Sequence, residues 1–431
     1  MTRDRLCRPH EHLWSRRQVL GRVLGTAAGV GAAGSLGFFN PAMAEELRRN
    51  DKQVLFVWLD GGMSQIESWD PKPNTEHGGP FRAISTSVPG VQFSELMPRS
   101  AKVAHHLAIL RSLHTQDNSH SAGVARIQRG DPKNRGVVYP FFGSAVANLM
   151  GPTSSGLPPY LWVKQGGGGF KTEDAGFLGP KYGCLALGDG NPPENLLPNP
   201  ALSAEDYAAR DELRRKLNER YLAGRRPQNS EANAHVFDMA QELMKRTELF
   251  DDSKIDPRDV ERYGAHDLGR HMLLARRLIE AGVRFVKVGS YHWDSHGDHF
   301  NAAQSLHGKF DQAFASLIED LADRGRLGNV LVIAMSEFGR TPKVNSHVGR
   351  DHWPEAWSVA MAGGGLKSGA VVGRTTADGT AVEDREVDIG HLFHTWFETL
   401  GVPRKQMEYD NHGQPLPVAH EECGAVQELI A

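Results

Sequence analysis

The chain has 431 residues, a formal net charge of −3 and only 3 cysteines. Hydrophobic residues make up 39% and charged residues 23% of the chain, an ordinary globular composition that excludes wholesale disorder and collagen. The near balance of acidic and basic residues provides no basic surface of the kind that nucleic-acid binding needs, so we expect no nucleic-acid partner. A length of 431 residues allows two or three average domains or one large α/β domain.

The first 44 residues have the features of a targeting segment. Arg16 and Arg17 precede a weakly apolar stretch rich in glycine and alanine, residues 19–39, and residues 42–44 read Ala-Met-Ala, a small-x-small cleavage site. We therefore expect residues 1–44 to be a twin-arginine signal peptide and the mature protein to be periplasmic or extracellular. The alternative is a membrane anchor. The many glycines and Arg22 argue against it, so a membrane contact is expected only through an uncleaved signal.

Two cysteines, Cys184 and Cys423, remain after removal of that segment. In an oxidising compartment they could pair, but nothing in the sequence indicates that they meet. The oligomeric state has no signature in the sequence.

From residue 45 onward, strand and helix patterns alternate. Apolar runs at residues 53–59 and 107–113 predict buried strands. Residues 151–200, rich in glycine and proline, predict long loops, and residues from about 202 to 260 predict a helical insertion. The later predicted elements are a helix at 266–281, a strand at 283–288, a helix at 302–324, a strand at 329–335 and a helix at 388–400. This order predicts a single α/β domain over residues 45–431, with a doubly wound, mostly parallel sheet and helices on both faces.

Polar residues follow four of the predicted strands, where open α/β sheets place their sites. The sharpest group contains Asp294 and His296, with Asp298 and His299 close behind. Carboxylate oxygen combined with imidazole nitrogen is a ligand set that suits Zn, Mn or Fe. The sequence therefore predicts a divalent metal site after the strand at 283–288.

Three further residues complete the predicted ligand set. Asp351 and His352 are the long-range complement, and Glu337 directly follows a buried strand. The alternatives are an Asp351 that caps a turn, a His352 that stacks on Trp353, and a Glu337 that lies near a helix start.

Two arginines, Arg340 and Arg350, are candidates for binding an oxyanion, because a guanidinium offers a fork of donors to sulfate or phosphate. Ordinary ion pairs with Glu337 or Asp351 are the alternative. The pair Gly61-Gly62 permits a close approach of the backbone to a ligand, although a tight turn alone would also explain it.

Ordered motifs over most of the chain resemble the DUF1501 family of exported bacterial proteins. They include residues 61–64, 69–73, 274–286, 293–296, 337–342 and 349–353. This family is similar to the alkaline phosphatase/sulfatase superfamily, and the resemblance implies that fold together with a site for two metals or one Ca-like metal. The strand-end aspartate that binds metal in the superfamily matches Asp60.

The chain departs from the superfamily pattern at two positions. His120 stands where a serine, threonine or modified cysteine nucleophile is expected, so Ser119, Ser121 or Thr115 could serve instead, or His120 could be a ligand. Glu337-Phe338 stands where an Asp-His pair is expected, which removes one imidazole ligand.

Together these features predict an exported, metal-dependent hydrolase of sulfated or phosphorylated small molecules or glycans, with Zn, Mn, Fe or Ca as its cofactor. The predicted metal ligands are Asp60, Asp294, His296, Glu337, Asp351 and His352, and the predicted catalytic residues are Ser119, His120, Arg340 and Arg350. The alternative is a catalytically degenerate member that binds a glycan or a protein without turnover.

Overall fold

The computed structural model describes residues 45–47, 49–130, 135–192, 201–222, 228–403, 408–411 and 413–431. The predicted signal peptide, residues 1–44, lies outside the described residues. All described residues belong to one compact unit that spans residues 39–431.

The described chain contains seventeen strands. They are β1 (Gln53–Leu59), β2 (Ala83–Ser85), β3 (Gln92–Ser94), β4 (Leu107–Leu113), β5 (Tyr160–Lys164), β6 (Gly169–Lys171), β7 (Cys184–Gly188), β8 (Phe285–Ser290), β9 (Val330–Met335), β10 (Gly339–Arg340), β11 (His352–Trp353), β12 (Trp357–Gly363), β13 (Val371–Val372), β14 (Arg374–Thr375), β15 (Val382–Asp384), β16 (Glu408–Asn411) and β17 (Gln414–Pro417). Nine of them form the central sheet in the order β13-β4-β12-β9-β1-β8-β5-β7-β6, and the rest form two-stranded pairs.

Nine α-helices lie between residues 98 and 399 of the described chain. They are α1 (Pro98–Lys102), α2 (His120–Arg129), α3 (Phe142–Met150), α4 (Ala204–Leu222), α5 (Gln228–Met244), α6 (Pro257–Tyr263), α7 (Asp267–Glu280), α8 (His299–Asp323) and α9 (Ile389–Thr399). Among the described residues, no helix is both long enough and apolar enough to cross a bilayer.

Strand β1 shows why the sheet needs a cover on both faces. All seven of its side chains are buried, and side chains of a strand alternate between the two faces. Leu55, Val57 and Leu59 pack into a core with residues of α7 and α8, whereas Phe56 and Trp58 pack into a second core with residues of α3 and α9. A strand buried on both faces reads as a continuous apolar run, which is why β1 was recognisable from sequence.

Strand directions bring seven carboxyl ends to one edge of the sheet. β1 pairs in parallel with β8 and β9, and β5 pairs in parallel with β8. β12 is antiparallel to both β4 and β9, so β4 runs in the same direction as β9. In addition, β7 is parallel to β5 and β13 is parallel to β4. The residues that follow β1, β4, β5, β7, β8, β9 and β13 therefore meet at this edge.

Most predicted elements are confirmed, including the parallel sheet with helices on both faces. The main shift is in α8, which begins at His299 directly after Asp298, three residues earlier than predicted. The prediction of long loops over residues 151–200 is incomplete, because β5, β6 and β7 lie there and extend the sheet. These strands are short, and the glycines between them hide their pattern. The antiparallel β12 was not predicted.

Cys184 is buried on β7 and Cys423 is partly buried near the C-terminus, and among the described residues neither forms a disulfide.

One buried histidine of α8 makes the stability of the fold depend on pH. His307 is 1% exposed and packs edge-on against Trp293, with ring centroids 5.0 Å apart. Its Nδ1 donates to the carbonyl of Ala303 at 2.9 Å, while its Nε2 has no partner among the described residues. Burial lowers the pKa of His307 from 6.5 to about 4. The unfolded chain therefore binds a proton at mildly acidic pH that the folded chain does not.

We expect the free energy of unfolding to fall as the pH drops from 6.5 towards 4, by up to about 3 kcal/mol from His307 alone. In His307→Gln the amide retains a donor but does not titrate, so this part of the pH dependence should disappear. Urea unfolding of both proteins at pH 7 and pH 4.5 measures the difference. Equal losses of stability in the two proteins would contradict the assignment.

Candidate metal centre

A cluster of imidazoles and carboxylates lies at the edge where the seven strands end. Asp294 follows β8, Glu337 follows β9, and His120 opens α2 in the connection after β4. His352 lies in β11, which pairs with β10, and its partner residue in that pair is Arg340. This pairing brings His352 to the same edge. The cluster lies at the carboxyl ends of β9, β1 and β8. The strands β8 and β9 lie on opposite sides of β1, so this is the kind of switch point where open α/β sheets bind ligands.

Three imidazoles present the same ring nitrogen to one carboxylate. The Nε2 atom of His120 lies 3.3 Å from Oδ2 of Asp294. The Nε2 atoms of His296 and His352 lie 3.0 and 3.1 Å from Oδ1 of Asp294. Ligand atoms of His120, Asp294 and His352 all lie within 4.8 Å of one another. The Nε2 of His296 lies 3.0 Å from that of His352, so it belongs to the same cluster.

A separate partner fixes the other nitrogen of each ring. Nδ1 of His120 contacts Glu337 at 2.8 Å, and Nδ1 of His296 contacts Asp351 at 2.6 Å. Nδ1 of His352 donates to the backbone carbonyl of Asn118 at 2.6 Å. An acceptor at Nδ1 keeps the proton there and leaves the Nε2 lone pair free, which is how metal-binding histidines are usually oriented.

The ring of His352 is positioned by Phe338 rather than by Trp353. The two rings stack with centroids 4.2 Å apart and an angle of 24° between their planes. Burial lowers the pKa of His352 and so favours the neutral imidazole that a metal requires.

Arg340 holds the central carboxylate in its ionised form. Partial burial alone would raise the pKa of Asp294, but the hydrogen bond from Arg340, at 2.6 Å, is the main cause that lowers it well below its ordinary value. The guanidinium of Arg340 is fully buried and also donates to the carbonyls of Gly61, Gly62 and Arg350. Its donors are used inside the protein, so the structure places Arg340 as a positioning residue for Asp294.

Glu337 lies behind His120 as a buried carboxylate. Its Oε1 accepts from Nδ1 of His120 and from the backbone N–H of Gly61, at 2.8 and 2.9 Å. Its Oε2 is buried and has no hydrogen-bond partner in the part of the chain that the structure describes. Burial raises the pKa of Glu337, against the opposing hydrogen bond from His120. Glu337 thus contacts a cluster member directly and keeps one oxygen unpaired.

Other predicted residues lie at or beside the cluster. Asp351 is hydrogen-bonded to His296. Asp60 accepts from the indole N–H of Trp58 at 2.9 Å and lines the same open cleft as His120 and Asp294. Ser119 is the residue before the first turn of α2. It is exposed, and its side chain makes no capping hydrogen bond.

Arg350 is not brought to the cluster. Its side chain is fully buried, and its Nη2 pairs with the equally buried Glu67 at 2.8 Å. The same guanidinium donates to the carbonyls of His77, Thr341 and Pro342. Glu67 also accepts from Nε2 of His299 at 3.0 Å, so this ion pair joins the loop at residue 350 to the start of α8.

The turn Gly61-Gly62 serves packing inside the protein. Both residues have positive φ, +111° and +95°. A Cβ at Gly61 would lie 2.6 Å from the backbone nitrogen of Asp294, and one at Gly62 would lie 2.8 Å from the ring of Phe338. Glycine therefore lets Asp294 and Phe338 approach the end of β1.

The donors present fit a divalent transition metal. Three imidazole nitrogens and one carboxylate oxygen match the mixed ligand set of Zn, Mn or Fe, whereas Ca prefers oxygen ligands alone. Without a cation, a buried carboxylate with an unpaired oxygen beside this cluster is costly. The unpaired Oε2 of Glu337 is thus consistent with a positive charge at the cluster.

Solved structures that resemble this chain do so at low identity. A PsFucS1 sulfatase from Pseudoalteromonas sp. is 13% identical, with a TM-score of 0.37 over 91% of this chain and 77% of its own. The phosphonate monoester hydrolase SpPMH from Silicibacter pomeroyi is 12% identical, with a TM-score of 0.38 over 82% and 74%. The alkaline phosphatase from the Antarctic bacterium TAB5 is 13% identical, with a TM-score of 0.33 over 84% and 100%.

No curated protein matches the sequence. One family model, described as "Protein of unknown function (DUF1501)", matches residues 51–430. That match includes every element that contributes a residue to the cluster, from β1 to β11. The chain therefore belongs to the DUF1501 family.

Proposed function

We propose that this protein is a metal-dependent hydrolase of sulfate or phosphate esters, exported through the twin-arginine signal of residues 1–44. One observation carries the proposal. Three imidazoles, each oriented through Nδ1, direct Nε2 at the carboxylate of Asp294 at the carboxyl edge of the sheet. A separate partner at Nδ1 for every ring, with all three Nε2 atoms directed at one point, is the arrangement typical of metal-binding histidines.

His120, Asp294, His296 and His352 would hold the ion. A bound divalent cation would lower the pKa of a water or hydroxyl group at the site and would neutralise charge that develops on the ester. Glu337, Asp351 and the carbonyl of Asn118 keep the three rings in the required tautomer. Arg340 keeps Asp294 ionised over the whole physiological pH range.

The reaction proposed is the hydrolysis of the ester bond. A water oxygen forms a bond to sulfur or phosphorus, the bond to the ester oxygen breaks, and the alcohol leaves with a proton from that water. The hydroxyl of Ser119 is an alternative nucleophile, because it lies one residue from His120 and is exposed. In that case a second attack by water would release the sulfate or phosphate.

A binding protein without turnover is the second candidate. The buried arginines favour it, because neither Arg340 nor Arg350 has a guanidinium free to bind a transferred group. His120 also occupies the start of α2, where the superfamily resemblance places a nucleophile.

The test is metal content together with hydrolysis. Protein exported from a bacterial host is analysed by inductively coupled plasma mass spectrometry, and then screened against aryl sulfates and aryl phosphates with and without EDTA. We expect about one equivalent of Zn, Mn or Fe, with turnover that EDTA removes and metal restores. A protein that contains no metal after reconstitution would contradict the proposal, and metal without turnover would favour the binding role.

A further inference from the structure

An open cleft with a volume of about 570 Å³ lies beside the cluster. Asp60, His120 and Asp294 line this cleft, and so do Lys164 and the two residues after it. Lys164 is the last residue of β5, a strand that was not predicted from the sequence. The cleft thus joins the proposed metal site to a region to which no function has yet been assigned.

Lys164 is the one lysine or arginine among the described residues that line this cleft. Its Nζ donates to the carbonyls of Gln165 and Gly167, at 2.6 and 3.2 Å. An ammonium group has three donors, so one remains for a ligand. The ring of Trp162 lies 5.6 Å from Nζ and supports the charge from one side.

The loop after Lys164 has open space on its outer side. Asp189 fastens its start, because its carboxylate accepts from the N–H of Gly166 and its own N–H donates to the carbonyl of Lys164, both at 2.7 Å. Beyond this point the side facing solvent is open, since a Cβ added at Gly167 or Gly169 would meet no atom within 4 Å. Gly168 packs against β7, because a Cβ there would lie 2.6 Å from the carbonyl oxygen of Ala186, so open space for a ligand lies at Gly167 and Gly169.

Resting on the proposed function, we propose that Lys164 and residues 165–169 form the anion-binding part of the site. Lys164 takes the role that the sequence assigned to Arg340 and Arg350: its ammonium binds a non-reacting oxygen of the sulfate or phosphate group. The leaving group then extends over the glycine loop. A bulky alcohol fits there because the glycines present no side chains.

The test measures anion binding rather than turnover. Full-length, metal-loaded protein is titrated with inorganic phosphate and, separately, with inorganic sulfate by isothermal calorimetry. We expect Lys164→Met to weaken binding of the preferred anion by about 10-fold or more, the usual loss for a charged hydrogen bond. Lys164→Arg should restore part of the affinity. Lys171→Met removes the same charge from β6, away from the residues that line the cleft, and should change nothing.

Metal content measured on the same samples separates the two proposals. Unchanged anion affinity in Lys164→Met, with metal content and hydrolysis intact, overturns the role of Lys164 alone. Failure of the metal-loaded wild type to bind either anion at millimolar concentration also overturns it. Absence of metal from the wild type overturns the proposed function and this inference together.

Discussion

Replacing Asp294 with alanine is expected to lower the affinity of the protein for Zn²⁺ or Mn²⁺ by more than about 100-fold, beyond the 10- to 100-fold typical of residues that only orient a ligand. Asp294 is the centre of the cluster, because all three imidazole Nε2 atoms lie within 3.3 Å of its carboxylate. Adding His352→Ala removes a second donor and should leave no stoichiometric metal. Equilibrium dialysis followed by mass spectrometry measures the bound metal.

Asp298→Asn is the control for this change, because Asp298 has a φ of +47°, which asparagine tolerates better than alanine. It removes the same charge from the same loop, but the side chain of Asp298 is exposed and contacts Asn301 rather than the imidazoles. We expect its metal content to equal that of the wild type. A similar metal loss in both variants would mean that the loop as a whole, rather than the carboxylate of Asp294, determines binding.

The folded state needs a separate check, because Asp294→Ala leaves the buried guanidinium of Arg340 without its carboxylate. Asp294→Asn keeps an oxygen that can accept from Arg340 while it removes the charge. Metal loss in Asp294→Asn with an unchanged melting temperature would assign the effect to the cluster. Retention of metal at wild-type affinity in both variants would refute the metal site.

The location of the cluster could be predicted because it depends on where strands end. Each strand end is determined by a short stretch of neighbouring residues. The strands before Asp60 and Glu337 are short and largely apolar, and the strand before Asp294 contains Lys287 but keeps enough apolar residues for its carboxyl end to be predicted. The parallel rule then brings them to one edge. His352 needed only the assumption that a metal collects ligands from several strand ends.

The role of each residue could not be predicted, since roles depend on contacts between distant segments. Glu337 follows a strand exactly as a ligand would, yet its Oε1 is directed at His120, 217 positions away along the chain. Nothing in the sequence distinguishes the arginine that contacts Asp294 from the one that contacts Glu67, ten residues apart. Lys164 could not be assigned to the site from the sequence, because the short strand that carries it lies in a segment rich in glycine and proline.

Replacing Arg350 with methionine is expected to lower the free energy of unfolding by about 3–5 kcal/mol, the usual cost of leaving one member of a buried ion pair without its partner. Arg350 and Glu67 are both fully buried, and 2.8 Å separates their charged atoms. Methionine fills a similar apolar volume but provides no charge. Urea unfolding at pH 7 measures the change.

Arg374→Met is a control that breaks an ion pair of the same length on the surface of the protein. Arg374 and Glu383 also lie 2.8 Å apart, but both side chains are more than half exposed. An exposed pair of this kind contributes about 0–1 kcal/mol. A loss in Arg350→Met no larger than that in Arg374→Met would show that the buried pair does not stabilise the fold.

The dependence on pH distinguishes loss of the ion pair from loss of packing. Burial alone would raise the pKa of Glu67, but Arg350 and His299 together lower it from 4.5 to about 2. A carboxyl group with a depressed folded pKa stabilises the protein above pH 4.5, and this stabilisation is lost as the pH falls towards 2. Without Arg350 that acid-dependent loss should shrink, whereas a packing defect would lower stability equally at every pH. The double variant Glu67→Gln/Arg350→Met removes both charges, so it should recover part of the stability lost in Arg350→Met.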